Sequence, residues 1–437
     1  MLQKFKEHIN INFPFLKGKK LLIAISGGLD SVVLTHLFNQ LNSATIALAH
    51  CNFKLREKES DLDEEFVVNL SQKTHNQIFT FTFDTKKTAK QRKTSTQIIA
   101  RELRYNWFKE LVKKHDFDFV LTAHHADDNL ETFLINLTRG SGIDGFTGIP
   151  AINGNIVRTL LPFSRAEILN YAKENNIDWR EDVSNASTKY VRNKIRHKVL
   201  PVLKEINPSL LETFSESIEN LKEAQTIIAD RIEDVSQKTI SSENDKLQIN
   251  IEQIKKLSNP KAYLFQLLKD YNFPEWNDVY QLLEAQSGKQ LYSKTHRLLK
   301  DRTHLILSKL KNNEVTEELL ISENLSEIKH PIPLTFSQVS ELNEQHKQTI
   351  YVDKDLLNYP LSLRKKQNGD YLYPQGMAGK KKLSKYFKDE KISLLDKENT
   401  WLLCNANNAI IWVIGYRQDR RFSATQSTKK HLKITTL

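Results

Sequence analysis

LLIAISGGLDS, residues Leu21–Ser31, is the stretch that decides the fold of the amino-terminal region. Its first part, Leu21–Ile25, is a continuous apolar run of the kind that forms a buried β-strand. The loop SGGLDS, Ser26–Ser31, follows at once, and a helical pattern extends from there to about Gln40. A strand, a glycine-rich loop and a helix in this order predict the first unit of a parallel sheet covered by helices.

The same alternation of apolar runs and helical patterns continues through the first 200 residues. Further strands are predicted at Thr45–His50, Ile78–Phe83 and Phe117–Ala123, and a helix is predicted from about Thr96 to Lys114. Asn153-Gly154, between two short apolar runs, indicates a tight hairpin turn. Strands with few polar positions, separated by helices, are typical of a parallel sheet that is buried on both faces.

This pattern predicts an α/β fold whose first domain is built on a doubly wound parallel sheet. A mainly helical domain follows, and the chain ends in a small basic α+β domain with short strands and one helix near Lys382–Lys388. At roughly 150 residues per domain, the length of 437 residues is enough for two to four domains. The predicted boundaries are 1–207 for the first domain, 208–310 for the helical domain, 311–360 for a linker region and 361–437 for the basic domain.

The composition is that of a globular protein, since 39% of the residues are hydrophobic and 27% are charged. The net charge is +11, and residues 361–437 alone carry 16 Lys and Arg against 6 Asp and Glu. A basic module at one end of a chain favours an anionic partner such as a nucleic acid, although charge that only maintains solubility has the same appearance.

Cysteine usage and the amino terminus exclude several classes of protein. Cys51 and Cys404 lie far apart, so the sequence has no disulfide framework, no Cys-x-x-Cys redox pair and no cysteine-rich metal site. Residues 1–6 lack the apolar core of a secretory signal, and no apolar run approaches the roughly 20 residues that a membrane helix needs. We therefore expect a cytoplasmic protein with no membrane partner.

The loop at Ser26–Ser31 has the features of a phosphate-binding loop. Its adjacent glycines let the backbone approach an anion closely, and the following helix directs its free N–H groups at the same place. Two serine hydroxyls add donors, and Asp30 is suited to hold the Mg²⁺ that accompanies a polyphosphate. The residues predicted to bind nucleotide are Ser26, Gly27, Gly28, Leu29, Asp30 and Ser31. An ordinary strand–turn–helix corner capped by serine is the simpler alternative.

Two better-known phosphate fingerprints do not account for this loop. The pattern G-x-x-x-x-G-K-[ST] is absent from the sequence, which disfavours a P-loop NTPase. A G-x-G-x-x-G does occur at Gly140–Gly145, but it follows a predicted helix instead of a strand, so it does not indicate a dinucleotide-binding turn. We interpret Gly140–Gly145 as a loop near the site.

A second motif, HHADDNLET at His124–Thr132, follows the fourth predicted strand and opens a helix. His124, Asp128 and Glu131 are spaced i, i+4 and i+7, and they are predicted to share one helical face. Ligands of such folds bind at the carboxyl ends of the strands, so this face should meet the phosphate loop. Carboxylates there bind Mg²⁺, or hold a substrate ammonium and accept its proton, and we predict Asp128 as a metal ligand beside the loop aspartate. A solvated acidic first turn is the alternative, and a zinc site lacks a third ligand.

Two arginines and two polar residues at a strand end extend the predicted site. Arg101 and Arg104 lie one turn apart on the helix before the fourth strand and are predicted to bind phosphate. Solvated surface arginines fit the same pattern. His50 and Asn52 end the second predicted strand and are predicted to line the adenosine pocket.

A basic helix is predicted around YVRNKIRHK, residues 190–198. Val191, Ile195 and Val199 are predicted to form its buried stripe, which leaves Arg192 and the arginine one turn later on another face. Such a face suits the phosphates of RNA or ATP, although a solvated basic face is equally consistent with the spacing.

Taken together, these segments resemble those of the tRNA(Ile)-lysidine synthetases, a family within the PP-loop ATP pyrophosphatase superfamily. The loop resembles the PP-loop of the whole superfamily, whereas the later blocks, in this order, are specific to the family. The matching segments are SGGLDS at 26–31, TAHHADDNLET at 122–132 with RGSG at 139–142, EDVSN at 181–185 with YVRNKIR at 190–196, NP at 207–208, GD at 369–370, Gly376 and GKKKLS at 379–384.

The chain departs from that family in two places. Phe53 and Lys54 stand where a second His and a Gly are usual, so neither a catalytic role for that His nor a glycine-dependent loop carries over. The region Lys391–Asn399 lacks the Pro and Arg that are often found there, so tRNA contacts of that region do not carry over either.

The resemblance implies ATP-dependent ligation of L-lysine to C2 of the wobble cytidine in tRNA(Ile) with a CAU anticodon. ATP would adenylate the C2 oxygen with release of pyrophosphate, and the ε-amino group of lysine would displace AMP to give lysidine. It implies ATP and Mg²⁺ as cofactors and leaves a homodimer open. Asp128 or Glu131 would position the amine and take its proton. The implied catalytic residues are Asp30, Arg101, Arg104, His124, Asp128, Glu131 and Arg192.

Two alternatives to this ligation remain open at the level of sequence. Another PP-loop enzyme that modifies tRNA, such as a 2-thiolase, shares the ATP chemistry but needs reactive cysteines, and Cys51 and Cys404 form no evident pair. A non-catalytic RNA-binding protein with the same fold is the other alternative.

Overall fold

The computed structural model describes residues 1–56, 58–181, 191–243, 245–310, 318–342, 346–375, 377 and 379–436. The chain divides into two compact units, Met1–Asp230 and Arg231–Leu437. Within the described ranges, no helix combines the length and the apolar character that crossing a bilayer requires.

The first unit alternates helices and strands along its length. Its helices are α1 (Leu2–Asn12), α2 (Leu29–Leu41), α3 (Lys58–Thr74), α4 (Thr85–Gln91), α5 (Thr96–His115), α6 (Ala126–Thr138), α7 (Ile143–Phe146), α8 (Arg165–Glu174), α9 (Val191–Lys194), α10 (Leu200–Ile206) and α11 (Leu210–Thr239), within which the first unit ends. Its strands are β1 (Lys20–Ala24), β2 (Thr45–Asn52), β3 (Gln77–Thr82), β4 (Phe119–Leu121), β5 (Ile152–Asn153) and β6 (Ile156–Val157).

These strands form one sheet with the order β3-β2-β1-β4-β6-β5. Neighbours are parallel from β3 through β6, and β5 pairs with β6 as the antiparallel hairpin predicted at Asn153-Gly154. The chain moves outward from β1 to β3 on one side and resumes with β4 on the other side of β1. The carboxyl ends of β1 and β4 therefore flank a topological switch point, which is where ligands bind in open α/β sheets.

The continuous apolar run of β1 reflects burial on both faces of the sheet. Leu21 and Ile23 pack in a core with side chains of α1, α2 and α8. Leu22, which lies between them, points to the opposite face and packs with Trp107 and Phe108 of α5. Helices cover both faces, as the prediction of a doubly wound parallel sheet requires, and that prediction is confirmed.

The basic segment contains a π-helix, Ile195–Val199, between α9 and α10. Ile195 is 6% exposed and packs with Leu200, whereas Val191 and Val199 are 56% and 37% exposed. The prediction that Val191 and Val199 join Ile195 in one buried stripe is therefore wrong. A π-helix bonds i to i+5 instead of i to i+4, so the next side chain to reach the core after Ile195 is Leu200 and not Val199.

The π-helical register predicts different effects on stability for substitutions at Ile195 and Val199. Ile195→Ala is expected to lower the free energy of unfolding by about 2–5 kcal/mol, because it leaves a cavity among buried side chains. Val199→Ala, the matched control one turn away, should change it by about 0.5 kcal/mol or less because its side chain is exposed. Urea denaturation of both variants measures the difference, and equal losses would contradict the π-helical register.

The second unit, Arg231–Leu437, is built mainly from antiparallel strands. Its helices after α11 are α12 (Ile251–Lys255), α13 (Pro260–Leu268), α14 (Trp276–Gln281), α15 (Leu383–Asp389) and α16 (Leu394–Asn399). Its strands are β7 (Ile240–Glu243), β8 (Lys246–Asn250), β9 (Gln290–Tyr292), β10 (His296–Lys300), β11 (His304–Lys309), β12 (Leu319–Ile321), β13 (Glu327–Ile328), β14 (Leu334–Val339), β15 (Thr349–Asp353), β16 (Leu361–Lys365), β17 (Tyr371–Leu372), β18 (Lys381–Lys382), β19 (Trp401–Cys404), β20 (Ile410–Val413), β21 (Arg417–Gln418) and β22 (His431–Thr436).

The helical middle region also contains a sheet with the order β7-β8-β11-β10-β9, which packs against α12, α13 and α14. Strands β7 and β8 lie in a stretch whose local pattern predicts mostly helix. β7 pairs with β8, and β8 pairs in turn with β11, a partner distant in sequence that local periodicity does not indicate. The described residues of the carboxyl-terminal region form three further sheets, β12-β16-β19-β20-β21, β13-β14-β22-β15 and the two-stranded β17-β18. Helix α15 packs beside the first of them, and the predicted α+β domain is confirmed.

Candidate active site

The glycine-rich loop joins the end of β1 to the start of α2. Gly27 has φ +88°, a conformation that favours glycine, and Gly28 is the N-cap of α2. The Ser31 hydroxyl accepts a hydrogen bond from the backbone N–H of Ser26 (3.1 Å) and donates one to the Gly28 carbonyl (3.0 Å). The loop is thus held closed by its own side chains while the N-terminus of α2 faces outward, which is the arrangement that binds phosphate.

A cavity of about 770 Å³ opens above this loop, at the carboxyl ends of β1, β2 and β4. It is large enough for a nucleotide with part of an acceptor. Among the residues predicted for the site, those that line the cavity are Ser26, Gly28, Leu29, Asp30, Ser31, Arg104, His124, Asp128 and Arg192. Those that do not line it are Gly27, His50, Asn52, Arg101 and Glu131.

His125, which the sequence reasoning passed over, joins the two predicted metal ligands. It is the N-cap of α6: its Nδ1 accepts from the backbone N–H of Asp128, whose carboxylate accepts the backbone N–H of His125 in return. Nε2 of His125 lies 3.7 Å from Asp30 Oδ2 and 3.4 Å from Asp128 Oδ2. Nε2 of His125 therefore faces both carboxylates.

Because α6 begins at Ala126, His124 lies before the helix and does not share a helical face with Asp128 and Glu131. The predicted common face is wrong at this position. Because a histidine caps the helix, the helix begins later than the sequence pattern suggests. The doubled histidine of the motif was the one sequence feature that pointed to a capping residue here.

The carboxylate of Asp30 is suited to bind a cation. Its side chain is 30% exposed, yet its Oδ1 is buried and has no hydrogen-bond partner. Burial raises the pKa of Asp30, and the neighbouring His125 ring opposes that rise. No group of three or more metal-ligating side chains occurs among the residues that the structure describes. Mg²⁺ needs only one or two carboxylates when phosphates supply further ligands, so Asp30 and Asp128 fit this cation.

Glu131 is fully buried and belongs to an ion-pair network below the cavity. Arg196 Nε and Nη2 donate to the two oxygens of Glu131 at 2.5 and 2.9 Å, and Nη2 also donates to Asp128 Oδ1 at 3.1 Å. Burial raises the pKa of Glu131, and the Arg196 guanidinium opposes that rise. Arg192 lies at the edge of the network, donates to Thr132 Oγ1 at 2.7 Å and lines the cavity.

Arg192 lines the cavity, whereas the arginine one turn later does not, so the two do not present one common face. Arg196 instead points inward and pairs with Glu131. Glu131 does not reach the cavity, so the structure leaves Asp128 as the α6 carboxylate beside the substrate space.

The two predicted arginines of α5 divide in the same way. Arg104 lines the cavity, with its guanidinium 5.2 Å over the ring of Phe53. Arg101 lies outside the lining, 5.0 Å over the ring of Tyr105. Phe53 stands where the resembling family usually has His, and here it supports an arginine of the site.

His50 and Asn52 do not line the cavity, and both contact backbone groups beside it. His50 is buried, its Nδ1 lies 2.9 Å from the carbonyl oxygen of Ile25, and burial lowers its pKa. Asn52 donates to Asp61 at 2.9 Å, and its Oδ1 accepts from the backbone N–H of Lys54 at 3.0 Å. Lys54 has φ +49°, so the left-handed turn that glycine would favour forms here with lysine.

His124 is the predicted site residue with the clearest pKa shift. Burial lowers its pKa to about 4, and Thr122 Oγ1 lies 3.0 Å from its Nδ1. The ring is therefore neutral at physiological pH, where it can donate or accept a hydrogen bond at the cavity wall but cannot carry a charge to a phosphate.

This shift predicts a pH dependence of stability. The unfolded chain binds a proton at His124 below pH 6.5, while the folded chain does so only below about pH 4. Between these values stability falls as pH falls, by roughly 2 kcal/mol on acidification from pH 6.5 to 4.5. A His124→Gln variant, compared by urea denaturation at both pH values, should lack that share of the loss. An identical loss in both proteins would contradict a neutral His124.

Several cavity residues had no motif to mark them. They include Asp63, Arg165, Trp179 and Arg180. Trp179 and Arg180 directly precede the EDVSN block, which is the one signal that pointed near them. Residues 182–190 of that block, and Gly376 of the carboxyl-terminal block, lie outside the described residues.

Comparison with known proteins extends over nearly the whole chain. Residues 1–203 match the PP-loop domain, residues 242–310 the TilS substrate binding domain and residues 361–434 the TilS substrate C-terminal domain. A tRNA(Ile)-lysidine synthase of Parabacteroides distasonis is 41% identical over 96% of this chain and 96% of its own length. Those of Bacteroides thetaiotaomicron and Porphyromonas gingivalis W83 are 38% and 35% identical, over 97% and 94% of this chain and 96% and 92% of their own lengths.

The match of residues 1–203 agrees with the loop, the sheet and the cavity, and it makes this unit an ATP-utilising PP-loop fold. The relatives share one name and align along almost their full length with this chain. The chain belongs to the tRNA(Ile)-lysidine synthase family.

Proposed function

We propose that the protein ligates L-lysine to C2 of the wobble cytidine of tRNA(Ile) with a CAU anticodon, as a carbon–nitrogen ligase in the cytoplasm. ATP adenylates the cytidine O2 and releases pyrophosphate, and the lysine ε-amino group then displaces AMP. The observation that carries this proposal is the convergence of Asp30 and Asp128 on His125, directly above the phosphate loop. Family membership supports the same reaction.

Nucleotide binding in this proposal uses the loop and its flanking charges. The triphosphate lies over Ser26–Ser31 at the N-terminus of α2, where backbone N–H groups face the cavity. Asp30 and Asp128 hold the Mg²⁺, which when bound offsets charge on the phosphates. Arg104 and Arg192 line the same cavity and offset the charge that develops as pyrophosphate leaves.

The lysine step needs a proton acceptor. An ε-ammonium with a pKa of about 10.4 costs roughly 4–5 kcal/mol to neutralise at pH 7. Asp128 lines the cavity and is the carboxylate placed to accept that proton, whereas Glu131 is buried in its pair with Arg196. Glu131 serves this step indirectly, because Arg196 bridges it to Asp128.

The RNA-binding surface is proposed to include the domains after the catalytic one, at 208–310 and 361–437. Residues 242–310 and 361–434 match domains whose names refer to the substrate. The excess positive charge of residues 361–437 suits an RNA backbone. Contacts by these domains would distinguish the isoleucine tRNA from a methionine tRNA with the same anticodon.

Thiol chemistry is the less supported alternative. Burial raises the pKa of Cys51 to about 12 and that of Cys404 to about 12, so neither is a thiolate at neutral pH. A 2-thiolating enzyme would need a reactive thiolate or a cluster bound by one.

The nucleotide product tests the proposed chemistry. With purified protein, Mg-ATP, L-lysine and the tRNA, we expect AMP and pyrophosphate in equal amounts, and only with a cytidine at the wobble position. A matched transcript with uridine there is the control. Formation of ADP, or equal turnover with the uridine transcript, would refute an adenylated cytidine.

A further inference from the structure

The phosphate loop, Ser26–Ser31, is contacted on two sides by other parts of the chain. On one side lies α3, where a Cβ added to Gly27 would come within 3.4 Å of Phe66 Cδ1 and Val67 Cγ1. On the other side lies the extended segment after α8, whose Arg180 donates its backbone N–H to the Gly27 carbonyl at 3.0 Å. The loop therefore has little room to change shape unless one of these neighbours moves.

The Arg180 side chain links the segment after α8 to helix α3. Its Nε donates to Asp63 Oδ1 at 2.6 Å and its Nη2 to Glu59 Oε2 at 2.7 Å, and both carboxylates belong to α3. Arg56 donates to the second oxygen of Asp63 at 2.7 Å. The side chains of Arg180 and Asp63 are 28% and 13% exposed, so solvent screens this pair less than a surface ion pair.

The orientation of the Gly27–Gly28 peptide group connects these contacts to ATP binding. In a planar trans peptide the C=O and the N–H point in opposite directions. While Arg180 holds the Gly27 carbonyl, the Gly28 N–H of the same peptide points the other way and donates to Ser26 Oγ at 3.3 Å, and Ser26 lines the cavity. A flipped peptide would present a carbonyl oxygen to the phosphates in place of a donor.

We propose that Arg180 is a positioning residue of the phosphate loop, which fixes the Gly27–Gly28 peptide in its phosphate-binding direction through its ion pairs with α3. This inference rests on the proposed function only in placing the ATP phosphates at the loop. It does not depend on which amine or which RNA takes part in the later step.

Direct titration of the full-length protein with Mg-ATP tests the role of Arg180. Loss of a charge-assisted tie predicts that Arg180→Ala weakens ATP binding about tenfold. Arg180→Lys, which keeps one charged donor, should fall between Ala and the wild type. Arg92→Ala, which removes an ion pair with Glu102 away from the cavity, is the matched control and should bind ATP as the wild type does.

Asp63→Asn separates positioning from direct contact with the nucleotide. If Arg180 acts through α3, Asp63→Asn weakens ATP binding in the same direction, and the double variant is no weaker than Arg180→Ala alone. If Arg180 instead contacts the phosphates, Asp63→Asn leaves affinity unchanged or raises it, and the proposal is overturned.

Steady-state kinetics gives a readout that a purely structural defect does not. For Arg180→Ala we expect the KM for ATP to rise about tenfold, with kcat at saturating ATP and the KM for RNA within about twofold of wild type. Equal losses in all three parameters, together with a lowered Tm, would overturn the positioning role. If the wild type binds ATP but transfers no lysine, the proposed ligation fails while the binding test of Arg180 still stands.

Discussion

Replacing Asp30 by Asn is expected to lower kcat by about 10³-fold, the loss typical of removing one preorganised electrostatic group from a reaction centre. Asp30 supplies the carboxylate of the phosphate loop itself, and its Oδ1 is buried without a hydrogen-bond partner. An amide of the same shape cannot replace its charge toward Mg²⁺ and the phosphates.

The same substitution should leave the fold as stable as before or more stable. Burial raises the pKa of Asp30, so the ionised carboxylate costs the folded state free energy at neutral pH. Asn removes that cost. We therefore expect a Tm at pH 7 equal to or above that of the wild type, measured on the sample used for kinetics. Full activity of Asp30→Asn would contradict its role, and a large fall in Tm would attribute lost activity to folding.

Replacing Arg196 by Ala is expected to have the largest effect on stability. It leaves the fully buried Glu131 without its bidentate partner, and breaking a buried ion pair on one side costs about 3–5 kcal/mol. For a unit of this size the loss corresponds to a fall in Tm of roughly 10 °C. Thermal unfolding followed by circular dichroism measures it.

A double variant provides the control for that prediction. Glu131→Leu combined with Arg196→Met removes both charges and keeps apolar volume, so much of the lost stability should return. Activity should not return with it, because Asp128 loses the Arg196 Nη2 donor that holds its Oδ1. Recovery of activity along with stability would show that the network has no part in positioning Asp128, and no recovery of stability would contradict an ion-pair origin.

The sequence predicted the fold well where local pattern and burial coincide. Leu21–Ile25 is apolar at every position because both faces of β1 are covered, and the glycines that follow mark the loop. Strand β8 shows the opposite case, since its partner β11 is distant in sequence and the local pattern around β8 does not indicate it.

The sequence predicted which types of residue lie at the candidate site, but it did not predict which of their side chains point into the cavity. Motif spacing brought Asp30 and Asp128 together, but it could not tell that Glu131, one turn further along α6, points away from the cavity. That distinction depends on Arg196, which a π-helix turns inward. Arg180 escaped notice because its proposed role depends on ion pairs with Asp63 and Glu59, which are distant in sequence and form no motif with it.

Transfer of labelled L-lysine to RNA tests the central claim most directly. Purified protein, Mg-ATP, labelled L-lysine and an isoleucine tRNA transcript with a CAU anticodon are incubated, and label on the RNA is counted after alkali treatment. The proposed reaction predicts alkali-stable label that requires ATP and disappears when the wobble cytidine is replaced by uridine. Pyrophosphate release with no label on the RNA, or label that persists with the uridine transcript, would contradict it.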